Sequence, residues 1–216
     1  MPRGGVTPAS RRLTAGSLAL RHNPDRTTRP FPRRHDTALP FDPAKLPAGL
    51  PLMLDTTVYV HRLQNRIPPP IHALVETRPV LHCAVAVAEI AVSAGIMDPS
   101  HVTTARYRTP LLGLLHGIGA LDMRAPSPAS WAEAGMLAGI LARTQFALAR
   151  LRSTLASDAV EQQRESWRRL LNDALIFLTA REAGAILISA NVLKMDLRLR
   201  FRPDVNVFLY RQTAAA

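Results

Sequence analysis

Three carboxylates stand where the chain is otherwise apolar. Asp55 directly follows Leu50-Pro51-Leu52-Met53-Leu54, Glu89 interrupts an Ala/Val run from Ala84 to Val92, and Asp173 lies between Leu170-Leu171 and Ala174-Leu175-Ile176. A fourth apolar run, Gly184-Ala185-Ile186-Leu187-Ile188, ends in Ser189-Ala190-Asn191. An unpaired carboxylate is costly to bury, and carboxylates brought together repel one another. A cluster of them is therefore tolerated mainly around a hard divalent cation such as Mg²⁺ or Mn²⁺, which takes oxygen ligands. Such an ion serves phosphodiester hydrolysis by activating water and neutralising charge. Each residue also has a plainer role open to it. Asp55 and Asn191 suit turns after strands, Asp173 suits a helix N-cap, and Glu89 suits the solvent face of a helix.

The elements that must carry these residues alternate in type. Residues 50–54 and 184–189 are short, continuous apolar runs of the kind buried in parallel sheets. Gly119–Met123 and Val205–Tyr210 are two further strand candidates. Helices are expected over 70–77, from Ala84 to a C-cap at Gly95, from an Asp98-Pro99-Ser100 cap to His116, over 128–151, and over 170–183. In the 128–151 stretch, Trp131, Ala134, Leu137, Leu141, Leu148 and Leu151 keep mostly helical spacing, which places Trp131 in the core. Residues 153–168 read as a polar connection. Strands alternating with helices imply a parallel sheet with helices on its faces, and ligands of such sheets gather at the carboxyl ends of the strands. Asp55 and Ser189-Asn191 stand at such ends.

Composition bounds what surrounds this sheet. The 216 residues carry 27 Lys+Arg against 16 Asp+Glu, a net charge of +11, and 47% are hydrophobic. That is enough apolar material for a core, and the positive balance favours an anionic partner. The single cysteine, Cys83, excludes an internal disulfide framework and a cysteine-built zinc site; beside His82 it reads as a small buried residue. No apolar run approaches the ~18 residues of a membrane span. Phosphate-loop, nucleophile-elbow and H-E-x-x-H motifs are missing. Residues 1–48 hold eight of the 18 prolines and nine Lys/Arg against three acidic residues. They are expected to form a basic, Pro/Arg-rich disordered arm, dispensable for folding, ahead of a folded domain over 49–213. Its want of acidic residues before Asp25 gives the arm a faint transit-peptide character, although a dispensable tail is the plainer reading.

Taken in order, these segments resemble a known family. Leu52-Met53-Leu54-Asp55-Thr56-Thr57-Val58-Tyr59-Val60 resembles the opening motif of PIN-domain ribonucleases, a hydrophobic run followed by Asp-Thr-Asn. Glu89 ahead of Gly95, Asp173 ahead of Gly184, and Ser189-Ala190-Asn191 through Asp196 are similar to the second, third and fourth motifs. The likeness spans about 50–211 and is nearest to the VapC-like toxins of toxin–antitoxin pairs. Thr57 stands for the usual Asn, Ser189 for Thr, and Asp196-Leu197 for Asp-Phe. The resemblance implies a PIN-like three-layer α/β/α fold with a central parallel sheet and flanking helices. It also implies an Mg²⁺- or Mn²⁺-dependent endoribonuclease, acting in the cytoplasm as a homodimer held in check by a cognate antitoxin protein. Asp55, Glu89 and Asp173 would be the catalytic, metal-holding core. Asn191 and Asp196 compete for the fourth ligand position, while Thr57 and Ser189 would support Asp55 or touch RNA. The alternative is a non-catalytic PIN-like module that binds RNA or protein, favoured by the amide at Asn191.

Overall fold

The computed structural model describes residues 30–146 and 157–213, with side chains left aside for 157–165. Five parallel strands form the centre: β1 (Leu52–Leu54), β2 (Val80–Cys83), β3 (Met123–Arg124), β4 (Ile186–Ser189) and β5 (Val207–Leu209). Their order across the sheet is β3-β2-β1-β4-β5. Successive connections thus run outward in one direction and then, after β3, cross back to the other side of β1. The linking helices are α1 (Thr56–Leu63), α2 (Pro69–Thr77), α3 (Ala84–Gly95), α4 (Val102–His116), α5 (Pro128–Thr144), α6 (Ser157–Glu182) and α7 (Val192–Phe201). Strands β1, β4 and β5 are buried at every position, so helices cover both faces of the central sheet. This is the layered α/β arrangement expected from the sequence.

Several boundaries differ from expectation. The strand sought at 119–123 is a 3-10 turn (Ala120–Asp122) leading into a two-residue β3. β2 was hidden in the sequence because Val80-Leu81-His82-Cys83 runs straight into the Ala/Val-rich α3. Helix α4 does end at His116 as expected, with Pro110 inside it. The polar segment expected to connect is helical from Ser157, so Asp173 lies in the middle of a 26-residue helix and caps nothing. Helix α5 buries Ala134, Leu137, Ala138 and Leu141, one stripe at helical spacing, but leaves Trp131 50% exposed outside the core. The part of that expected helix beyond 146 lies outside the described residues.

The largest correction concerns the arm. Residues 30–48 do not stand apart from the domain but lie against it as a strap. The Phe31 ring meets Phe201 edge-on at 6.0 Å and lies under the Arg200 guanidinium, while its N–H donates to Gln145 Oε1 at 2.7 Å. Arg34 Nε reaches Asp196 Oδ1 at 2.5 Å, Leu39 is buried, and the Leu209 N–H donates to the Pro40 carbonyl at 2.8 Å. Two short 3-10 turns, Asp36–Ala38 and Pro43–Lys45, shape the strap. Proline denies this stretch a regular element without denying it apolar anchors or charge partners. The expectation for residues 1–29 lies outside the described residues.

Candidate active site

Strand register builds the first corner. Leu54 pairs with Ile188, so the next residues, Asp55 and Ser189, leave the sheet side by side at its carboxyl edge. Ser189 donates to Asp55 Oδ2 at 2.6 Å and Thr57 donates to the same oxygen at 2.8 Å. Oδ1 accepts from the Thr56 N–H at 2.9 Å, making Asp55 the N-cap of α1. The turn role and the site role are therefore compatible in one residue. Thr57 and Ser189 also accept backbone N–H groups from Ala190 and Asn191, which ties the two strand ends together.

The second and third carboxylates arrive on helices. Glu89, near the middle of α3, accepts from Thr56 Oγ1 at 2.5 Å and from Asn172 Nδ2 at 2.8 Å. Asp173, one residue further along α6, takes two cations on Oδ2: Lys194 Nζ at 2.9 Å and Arg198 Nη2 at 3.3 Å. Arg198 is fully buried and also donates to the Leu170 and Lys194 carbonyls. Asp55, Thr57, Glu89, Asn172, Asp173, Asn191 and Lys194 all line one open cleft of about 970 Å³, with Trp131 and Arg169 on its wall. That is at the upper end of the roughly 300–1,000 Å³ spanned by ligand pockets.

Charge in the cleft is unevenly distributed. Burial pushes the Asp55 carboxyl above the ordinary carboxylate value; the nearby charges of Asp173 and Glu89 push the same way, against the hydrogen bonds from Ser189 and Thr57. A cation arriving beside Asp55 would relieve both effects. The donors, three carboxylates and an amide oxygen, suit a hard divalent ion. Yet no three His, Cys, Asp or Glu side chains among the described residues stand close enough together to hold one. The reason is visible in the hydrogen bonding, since each carboxylate is engaged by the protein itself. The residues fit a divalent cation in kind, and closing on one would require an exchange of partners.

Asp196 does not belong to this cleft. Helix α7 puts residues four apart on one face, so Lys194 and Arg198 turn together toward Asp173 while Asp196, two residues from each, faces away. Its carboxylate, 1% exposed, is held by Arg34 and by Arg200 Nη2 at 3.3 Å. Burial raises its pKa, but the hydrogen bonds from Arg200 and Arg34, with the Arg34 charge, outweigh that and hold the group below the ordinary value. Of the two competitors for the fourth corner, Asn191 lines the cleft and Asp196 anchors the strap.

Thr56, Asn172, Lys194 and Arg198 were not singled out from the sequence. Asn172 had a signal, adjacency to Asp173 one helical step from the face that meets α3. Thr56 had a like signal, its place beside Asp55 in the opening motif, whereas Lys194 and Arg198 had none. His61, at the cleft rim, is paired with Tyr210 Oη at 2.9 Å. Cys83 is buried as expected.

Comparison with known proteins gives structural neighbours alone, since neither a family model nor a curated protein matches. The chain is similar to a structure of VapBC2 from Rickettsia felis bound to a promoter DNA fragment, at 14% identity and a TM-score of 0.43, over 74% of this chain and 99% of that one. It is similar to FitAB bound to an IR36 DNA fragment at 15% identity and 0.44, over 73% and 94%. It is also similar to VapBC-1 from nontypeable Haemophilus influenzae at 17% identity and 0.39, over 75% and 98%. The fold assignment rests on the strand order and register described above. Among the described residues, no helix is long and apolar enough to cross a membrane.

Proposed function

We propose that the chain is a metal-dependent endoribonuclease and, as its motifs resemble those of VapC-like toxins, the toxin of a cytoplasmic toxin–antitoxin pair that works as a homodimer. The observation supporting the nuclease is the meeting of Asp55, Glu89, Asp173 and Asn191, from four separate segments, in one cleft at the carboxyl ends of β1 and β4. A Mg²⁺ or Mn²⁺ ion held by the three carboxylates, with the Asn191 amide beside it, would supply the charge that binds a phosphate and activates water. The chain's own residues do the positioning. Ser189 and Thr57 fix the Asp55 oxygens, Thr56 and Asn172 fix Glu89, and the buried Arg198 sets the rotamer of Asp173. Once such an exchange of partners had seated an ion, carboxylates ordered in this way would hold their geometry as charge develops at the phosphorus.

The purified protein is expected to cut RNA with Mn²⁺ or Mg²⁺ and not with EDTA. Asp55→Asn, which keeps shape and removes charge, should lower the rate about 1,000-fold without unfolding the protein. Expression alone should arrest growth of the host, and the same variant should release it. A second reading, a binding module that does not cut, is favoured by one observation: the Asp173 charge is already matched by Lys194 and Arg198. Undiminished RNA affinity with no metal-dependent product would select that reading.

A further inference from the structure

The two cations on Asp173 differ in a way that matters for metal loading. Arg198 is fully buried and bonded to two backbone carbonyls as well as to Asp173, so it is a fixed part of the helix packing. The Lys194 side chain is 31% exposed, lines the cleft, and reaches the carboxylate at 2.9 Å with a single compact charge on a flexible stem. It shares that cleft with Asp55 and Glu89, whose charges already burden one another.

We propose that Lys194 is the resident cation of the cleft: its ammonium group holds the place on Asp173 that a divalent ion would take, so an ion is accommodated by displacing it. This rests on the nuclease reading for the identity of the ion and goes beyond it in naming the residue that the ion must compete with. It agrees with the lack, among the described residues, of a three-carboxylate cluster ready for an ion, because Asp173 Oδ2 is engaged by two cations of α7. It also separates the two basic residues by role. Arg198 keeps Asp173 in position whichever cation is present, whereas Lys194 swings out along the exposed rim.

The test is Mn²⁺ binding to the purified full chain, followed by calorimetry and by loss of the free-ion electron paramagnetic resonance signal. Lys194→Met keeps the aliphatic stem and removes the competitor, so Mn²⁺ should bind about 10-fold tighter than to the wild type, a coupling of ordinary size. Lys194→Gln should do the same, should the methionine variant misfold. In an Asp173→Asn background the gain from Lys194→Met should shrink below about 2-fold, because the contested carboxylate is gone. Metal-free Lys194→Met should melt below the wild type, and saturating Mn²⁺ should raise its melting temperature more than it raises that of the wild type. Equal Mn²⁺ affinity in wild type and Lys194→Met would overturn the displacement while leaving the metal reading intact. A full gain persisting with Asp173→Asn would also overturn it, by showing a long-range field instead of a shared ligand. Failure of every variant to bind Mn²⁺ would overturn both.

Discussion

Asp173 and Asp196 make an instructive pair. Both are buried carboxylates with a lysine or arginine drawn from the same short helix, α7: Lys194 and Arg198 for one, Arg200 for the other. Yet Asp173 opens onto a cleft shared with two more carboxylates, and the neighbouring Asp55 is pushed toward protonation. Asp196 is sealed between two arginines and held ionised. One side of α7 therefore faces carboxylates that burden one another beside an open cleft, and the other a carboxylate enclosed by its own cations. A mutually repelling group of carboxylates open to solvent has a capacity to bind; a sealed ion pair under a strap is a fastening.

This contrast can be broken most forcefully at the strap. Deleting residues 1–42 removes the Phe31 and Leu39 contacts and the Arg34 ion pair together, and should lower stability by about 3 kcal/mol or more in urea unfolding. A melting curve unchanged by the truncation would mean that the strap is a passenger. The next effect is at Asp196 itself. Asp196→Asn leaves Arg34 and Arg200 without their charge partner and should cost about 2 kcal/mol, roughly 4–8 °C in melting temperature for a domain this size. Mn²⁺ affinity should stay at the wild-type value, and weakened binding would return Asp196 to the metal site. The smallest and sharpest effect is in pH. The folded pKa of Asp55 lies above its unfolded value, so protonation favours the fold, and the wild type should gain stability relative to Asp55→Asn as pH falls toward about 4. The folded pKa of Asp196 lies below its unfolded value, so its contribution is present above pH about 4 and lost below it. The melting difference between wild type and Asp196→Asn should therefore shrink as acid is added past that point. Two profiles of the same slope would dissolve the comparison.

How much of this could be read from residues alone depends on whether the signal was local. The apolar runs at 52–54 and 186–189 are local, and they place Asp55 and Ser189 at strand ends, whereas the pairing that makes those ends neighbours is a property of the sheet. Glu89 and Asp173 were legible because a charge inside an apolar stretch is conspicuous wherever it lands. Lys194 and Arg198 were not, because basic residues on a short helix look like an ordinary solvated face until α6 is laid against them. Asp196 was misplaced by spacing: a motif counted along the chain ignores that two residues of helix turn a side chain by more than half a circle. The strap was misread because composition reports what a segment cannot form by itself and is silent about what it can lean on. Trp131 kept core spacing and still faces the cleft, since α5 buries a neighbouring stripe.

The strap has one more effect, on the rim of the sheet. β5 is an outer strand, and such strands offer unpaired N–H and C=O groups on which another chain can polymerise. Here the Leu209 N–H is already spoken for by the carbonyl of Pro40, a residue with no N–H of its own to extend the ladder. At the opposite rim β3 is two residues long, too short to template anything. The molecule has in effect hemmed its own sheet: the first residues of the described chain occupy the position where an intruding strand would begin to grow.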